Sequence, residues 1–188
     1  MDLIIFAHPD NKTSHNAAIL KHVVGRLKAK HAAFEIIDLY ADGFDPVFRL
    51  VVESPEKVAL VKKYQTLVAG ADRLIFIHPV WWYNVPAMLK GFLEHVFNSG
   101  FAYAFKVSPE NTAIVEHKLG GKTAIVMRTY GRTKAEAEKH GNPPRLVLED
   151  AVLGFCGVKV AGRVEWFDVR QPSILPKAVV NEIDALIA

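Results

Sequence analysis

The sequence predicts an α/β fold: a three-layer sandwich in which a five-stranded, mainly parallel sheet carries helices on both faces. Three observations predict it. Short continuous apolar runs recur along the chain, as strands buried on both faces require. Longer segments between them carry apolar residues at helical spacing. The two patterns alternate, which favours crossover connections over hairpins.

The elements follow in order. Residues 3–7 are the first apolar run, closed by the turn-forming His8-Pro9-Asp10-Asn11. Thr13 or Ser14 can cap a helix reaching about Lys30, with Ala17, Leu20, Val23, Val24 and Leu27 at helical spacing. Residues 34–39 read as a second strand, and 40–52, holding Asp42-Gly43 and Asp45-Pro46, as a loop. Ser54 caps a helix over 55–69, and 73–77 form a third strand ending at His78-Pro79. Pro86 opens a helix to about Phe97. Residues 122–128 form a fourth strand ending at Thr129-Tyr130-Gly131. A helix over about 144–155 stops at Gly157, a fifth strand covers 159–166, and a last helix covers 176–187.

The expected strand order is the doubly wound 2-1-3-4-5. Such sheets bind ligands at the carboxyl ends of the strands, beside the reversal in strand order. The loops after strands one, three and four should therefore meet around one cleft. Trp166 ends the fifth strand, remote from those loops in sequence, and is expected outside the site.

Composition narrows the class. At 188 residues and 20.9 kDa the chain suits one domain, 1–188, with a substantial core. Its 51% hydrophobic and 23% charged residues are those of an ordinary globular protein. The net charge of +3 comes from dispersed residues, so nucleic acid is not indicated as a partner. The one cysteine, Cys156, excludes an internal disulfide and a thiolate metal cluster. It lies in an apolar run and reads as a core residue, and a reducing, cytoplasmic setting fits. The N-terminal apolar run is too short to cross a bilayer and lacks a basic leader, and no other segment reaches the roughly 18 apolar residues a membrane helix needs.

The unusual residues gather in three loops. The first is His8-Pro9-Asp10-Asn11-Lys12-Thr13-Ser14-His15-Asn16. It lies between a buried strand and a helix N-terminus, where free N–H groups and the helix dipole suit an anion. Thr13 and Ser14 add hydroxyls, and Lys12 with the histidines can add positive charge. The plain alternative is helix capping beside a solvated loop. The loop lacks the glycines of the dinucleotide and Walker motifs.

The second loop is His78-Pro79-Val80-Trp81-Trp82-Tyr83-Asn84-Val85-Pro86. Three adjacent aromatics can wall a flat ligand, and the flanking prolines stiffen the backbone. Capping the core or filling a subunit contact is the alternative. The third loop, Arg128-Thr129-Tyr130-Gly131-Arg132, brings backbone close to a ligand or is an ordinary tight turn. No Gly-x-Ser-x-Gly elbow and no helical metal spacing is present.

Taken together these segments resemble the NAD(P)H:quinone oxidoreductases of flavodoxin-like fold, the group of DT-diaphorase, modulator-of-drug-activity proteins and ancillary quinone reductases of potassium-efflux systems. The resemblance runs along nearly the whole chain. It rests on Ala7-His8-Pro9 with Ser14 and Asn16, on Asp38-Leu39-Tyr40, and on Gly43-Phe44-Asp45-Pro46-Val47. The strongest segment is Pro79-Val80-Trp81-Trp82-Tyr83-Asn84-Val85-Pro86-Ala87-Met88-Leu89-Lys90-Gly91-Phe92, followed by Gly100-Phe101-Ala102-Tyr103 and Gly154-Phe155-Cys156-Gly157.

The resemblance implies a flavin-dependent enzyme that passes two electrons as hydride from NAD(P)H to a quinone or similar acceptor, in ping-pong order. It implies that His8, Thr13, Ser14 and Asn16 bind flavin phosphate and ribityl. Pro79, Val80, Trp81, Trp82 and Tyr83 would lie along the isoalloxazine, and Thr129, Tyr130 and Gly131 would hold its pyrimidine side. The chain lacks the long C-terminal extension of the mammalian enzymes, which favours FMN over FAD. DT-diaphorase-like members carry Thr-Thr-Gly-Gly in the third loop, then a Tyr and a His-Gly that assist hydride transfer. Here the loop is Thr129-Tyr130-Gly131-Arg132 and no later Tyr aligns, leaving Tyr130 and His140 as candidates for proton delivery.

The resemblance also implies a homodimer. Phe44, Val47, Phe48, Phe101, Tyr103 and Phe105 look surplus to one domain, and equivalent segments in the family lie between subunits and wall the partner's cleft. The alternative is that they fold back over their own core. Two other functions are weighed. An ancillary regulatory subunit would sit peripherally on a potassium-efflux transporter. A flavodoxin-type electron carrier is disfavoured by the pI of 8.9, because such carriers are acidic.

Overall fold

The computed structural model describes residues 1–49, 53–109 and 111–187; the end of the expected 40–52 loop, residues 50–52, lies outside them. The strands are β1 (Asp2–Phe6), β2 (Phe34–Asp38), β3 (Arg73–Pro79), β4 (Tyr103–Val107), β5 (Ala113–His117), β6 (Thr123–Thr129) and β7 (Lys159–Trp166). The helices are α1 (His15–Ala29), α2 (Pro55–Gly70), α3 (Ala87–Val96), α4 (Lys134–Lys139), α5 (Pro143–Arg145) and α6 (Lys177–Leu186). A π-helical segment, Leu146–Gly154, continues α5.

Five strands pair in parallel in the order β2-β1-β3-β6-β7. The side chains of a strand alternate between faces, so the apolar runs of β1 and β3 feed two cores at once. Leu3, Ile5, Leu74 and Phe76 join the core under α2, α3 and the π-helical segment. Ile4, Phe6, Ile75 and Ile77 join the core under α1 and α6. That is the three-layer α/β sandwich the alternating pattern predicts.

Two expectations are corrected. The order 2-1-3-4-5 counts five strands, whereas two more, β4 and β5, precede β6 in the chain and pair antiparallel as a separate sheet. They carry no continuous buried run: Phe105, Val107 and Ile114 are 63%, 70% and 48% exposed, so periodicity gave no strand signal. The helix expected over 144–155 is π-helical from Leu146. Its buried Leu148 and Leu153 stand five apart, the spacing of i→i+5 hydrogen bonding and not of an α-helical face.

The aromatic groups expected at a subunit contact divide. Phe44 is buried in its own core, against Tyr64 at 5.9 Å and His95 at 5.6 Å between ring centroids. A side chain at Gly91 would meet Pro46 at 2.5 Å, so glycine there lets the loop after β2 lie on α3. Val47, Phe48 and Phe105 remain exposed. Cys156 is buried, and burial pushes its thiol up to about 11, as a packed core cysteine requires.

Candidate functional site

The first loop leaves β1 and is shaped by Asp10. Its carboxylate accepts the backbone N–H groups of Lys12 at 2.9 Å and Thr13 at 2.8 Å, and the Thr13 hydroxyl donates to its other oxygen. These bonds, the Thr13 hydroxyl foremost, pull the Asp10 carboxyl down to about 2. Ser14, not Thr13, is the cap of α1, and its hydroxyl accepts the Ala17 N–H at 3.0 Å while donating to the Asp10 carbonyl at 2.5 Å. The first turn of α1 holds no acidic side chain, so its N-terminal dipole is uncompensated from within the helix. The Asp10 N–H donates to Nδ1 of His8 at 3.0 Å, and burial holds the His8 pKa below its ordinary value.

Two hydrogen bonds pin the three loops together. Asn16, 1% exposed in α1, donates through Nδ2 to the Thr129 hydroxyl at 2.8 Å. Val80, just past β3, donates its N–H to the Thr129 carbonyl at 2.8 Å. Thr129 is thus the shared anchor of all three loops. Asn16 Oδ1 is buried and has no hydrogen-bond partner among the described residues, an acceptor left for something not part of the fold.

The second loop is a tight two-residue turn. Trp81 and Asn84 exchange backbone hydrogen bonds at 3.1 and 3.0 Å, and Trp82 and Tyr83 between them have φ of 50° and 58°. Such a turn favours Asn or Gly at both central positions; two bulky aromatics there store strain, which collects at functional sites. The turn thrusts Trp82 out, 96% exposed, while Trp81 lies 5.7 Å from His8 between ring centroids. Tyr83 is half-buried: the Arg132 guanidinium carbon stands 3.8 Å above its ring, and the His140 ring meets it edge-on at 4.6 Å. Pro79 is buried at the end of β3.

The third loop departs most from expectation. Tyr130 is 1% exposed and stacks on Phe167 at 4.4 Å. Its hydroxyl donates to Glu165 at 2.8 Å and Asn142 at 3.0 Å. Burial pushes this phenol up to about 12, against the opposing charge of Arg128. The side chain belongs to a network beneath the loop, which removes Tyr130 as a source of protons for the cleft. Arg128, fully buried, pairs with the equally buried Glu149 and with Glu165 at 3.1 Å. Arg145 and Arg163 pair with Glu165 and Glu149 from outside. Burial opposes ionisation of Glu165, but hydrogen bonds from Arg145 and Tyr130 outweigh it and hold its pKa at about 2. Gly131 is exposed, and a side chain there would meet no protein atom within 4 Å, so the space above it is open.

The structure therefore gathers His8, Thr13, Ser14, Asn16, Pro79, Val80, Trp81, Trp82, Tyr83, Thr129, Gly131 and the exposed His140 at the carboxyl ends of β1, β3 and β6. It also places Trp166 beside them: the Tyr130 N–H donates to the Trp166 carbonyl at 2.8 Å, and the indole meets His15 at 4.9 Å. The position expected outside the site buttresses two of its loops, because β7 is the neighbour of β6. Sequence reasoning also passed over Asp10, although an Asp three residues before a Thr at a helix entrance is a legible turn signal. The result is a helix N-terminus with no acidic side chain in its first turn and, near it, a strained aromatic turn with an exposed indole.

A family model described as the flavodoxin-like fold matches residues 3–187. NAD(P)H dehydrogenase (quinone) 1 of Cavia porcellus is 32% identical over 184 residues, covering 84% of this chain and 65% of the relative. Ribosyldihydronicotinamide dehydrogenase (quinone) of Mus musculus is 30% identical over 184 residues, covering 84% and 77%. Among solved structures, Smu.1420 from Streptococcus mutans UA159 superposes with a TM-score of 0.80 at 32% identity, covering 99% of this chain and 97% of that one.

Proposed function

This chain belongs to the flavodoxin-like fold family, and from that premise we propose that it is a flavin-dependent NAD(P)H oxidoreductase that reduces quinones or similar small acceptors. One observation carries the reading: Thr129 ties the first turn of α1 to the strained Trp81–Asn84 turn, so a phosphate site and an aromatic wall are held in fixed relation. The names of the two curated relatives, both quinone dehydrogenases, support it.

The residues fit a flavin. The N-terminus of α1 suits its phosphate. The orphaned Asn16 Oδ1 suits a ribityl hydroxyl, which can donate to it. The open space above Gly131 and the projecting turn suit a flat ring system. We assign FMN as the flavin and a single flavin-binding domain, 1–188. A bound flavin would supply two-electron chemistry, taking hydride from a reduced nicotinamide and passing it to a quinone.

The protein's own part is placement. The backbone of Trp82, Tyr83 and Gly131 borders the open face, and the Trp82 ring can close over a flat substrate. His140, exposed and packed on Tyr83, is the side chain positioned to carry a proton, since the Tyr130 hydroxyl is engaged below the loop. Donor and acceptor would occupy the same face in turn, which gives ping-pong order. A homodimer would cover the exposed Val47, Phe48 and Phe105. Among the described residues no helix is long and apolar enough to cross a membrane, and a cytoplasmic enzyme accords with the lone buried thiol.

The test is direct. The purified protein, titrated with FMN, should bind it at micromolar concentration or below and then oxidise NADPH only as fast as a quinone is supplied. Absence of flavin binding overturns the reading, and FAD released on denaturation overturns the choice of FMN.

A further inference from the structure

We infer that Arg132 is a specificity residue of the proposed reductase, recognising a phosphate group of the pyridine dinucleotide donor; the inference rests on that reading. Arg132 follows Gly131 in the third loop. Its backbone is fixed, because its carbonyl accepts the Asp168 N–H at 2.9 Å. Its guanidinium carbon lies 3.8 Å over the Tyr83 ring. Stacking of this kind orients a guanidinium while leaving its edge N–H groups available, the geometry that suits phosphate.

The edge is not spent on protein. Among the described residues the Arg132 guanidinium makes no ion pair and no hydrogen bond. Two carboxylates near it, Glu136 four residues on and Asp168 across the loop, are bonded to other donors, and Glu136 feels the Arg132 charge without bonding to it. Glu136 accepts the Thr133 N–H at 2.9 Å and the Thr133 hydroxyl at 2.8 Å in the cap of α4. Asp168 pairs with Arg170 at 2.7 Å. An oriented, unpaired arginine is a recognition element awaiting an anion.

Position separates that anion from the flavin phosphate. His8 of the first loop lies against Trp81, whereas Arg132 and His140 lie against Tyr83, two residues further along the turn. One phosphate is provided for at α1. A second anion at Arg132 must come with another molecule, and a reduced pyridine dinucleotide carries two pyrophosphate charges and, in NADPH, a further 2′-phosphate. A quinone carries none.

The experiment compares Arg132→Ala and Arg132→Gln with the parent, each loaded with flavin, by calorimetric titration with NADP⁺, NAD⁺ and phosphate-free nicotinamide riboside. The flavin dissociation constant of each variant is measured first. The inference expects unchanged flavin affinity, dinucleotide binding weaker by about tenfold or more, and nicotinamide riboside binding unaltered. Arg132→Gln, which keeps a polar planar group over Tyr83 without the charge, should lose the dinucleotides to a similar degree. A larger loss for NADP⁺ than for NAD⁺ assigns the 2′-phosphate, and equal losses assign the pyrophosphate. Unchanged dinucleotide binding overturns the inference, as does an equal loss for nicotinamide riboside, which would mean that Arg132 merely shapes the turn. A parent protein that binds no flavin overturns the underlying reading instead.

Discussion

The Asp10 carboxylate takes the Thr13 backbone N–H at 2.8 Å on one oxygen and the Thr13 hydroxyl on the other. A negative group therefore sits at the entrance of the helix proposed to receive the flavin phosphate, and it holds a hydroxyl expected to serve that phosphate. Asp10→Asn keeps an acceptor for the two amides but removes the charge. FMN should then bind tighter by about threefold to tenfold, as expected for removal of one like charge near the protein surface. Riboflavin, which has no phosphate, should be unaffected. Weaker binding of both flavins would show that the carboxylate is needed to hold the loop, and that its charge does not oppose the cofactor.

Tyr130→Phe removes a hydroxyl that donates to Glu165 and Asn142 but leaves the ring stacked on Phe167. Glu165 keeps its pairings with Arg128 and Arg145 but loses a buried donor, and Asn142 Oδ1 loses its partner, a cost of about 1–3 kcal/mol. Chemical denaturation should show that loss. The pH profile of quinone reduction should keep its shape, because the phenol is not exposed to the cleft. His140→Ala should alter the profile instead. A changed profile in Tyr130→Phe with unchanged stability would restore Tyr130 to the proton path.

The two tryptophans separate binding from stability. Trp82 is 96% exposed and Trp166 is 7% exposed. Trp82→Ala should leave the urea midpoint of the flavin-free protein unmoved and weaken or spectrally perturb bound flavin. Trp166→Ala should cost about 3–5 kcal/mol, the range for removing a buried large aromatic. It should also disturb the flavin, because Trp166 supports the first loop through His15 and the third through its carbonyl. A Trp82→Ala protein with unaltered flavin affinity and spectrum would remove the aromatic turn from the site.

What the sequence revealed and what it hid follow from range and burial. The runs that became β1, β3 and β6 were legible because a strand covered on both faces needs consecutive apolar residues. The loops after them stood out by composition. The hairpin of β4 and β5 was not legible, since half-exposed strands such as Tyr103–Val107 have little pattern to read. Long-range pairing was equally hidden. Asn16 reaches Thr129 across 113 positions, and His15 reaches the Arg170 carbonyl across 155. Nothing local shows which way the Tyr130 side chain turns at its strand end; Glu165, 35 positions on, decides it.

His78 gives the fold a pH dependence whose sign can be worked out. It is fully buried in β3, directly opposite Arg128 of β6 in the sheet register. Nδ1 lies 2.9 Å from the Pro79 carbonyl, and Nε2 has no partner among the described residues. Burial first, then the neighbouring Arg128 charge, depresses the pKa to about 3. The unfolded chain titrates near 6.5. At pH 7.5 neither state carries the proton, and the histidine adds no pH dependence. As the pH falls below about 6.5, the unfolded chain binds a proton that the folded one refuses, so stability drops by up to about 1.4 kcal/mol per pH unit. The loss continues until the pH reaches the folded value. Carboxylates depressed in the fold, Glu165 among them, add their own loss as the pH nears their unfolded value of 4.5, so the histidine share is read from the difference between parent and variant slopes. His8, also depressed by burial, acts in the same direction. Urea midpoints at pH 7.5, 6.0, 5.2 and 4.5 should fall steadily for the parent. His78→Gln, having no proton to bind in either state, should lower stability at pH 7.5 yet flatten the slope by close to one proton. Parallel slopes for parent and His78→Gln would mean that the folded protein protonates His78 readily, contrary to its sealed position beside Arg128.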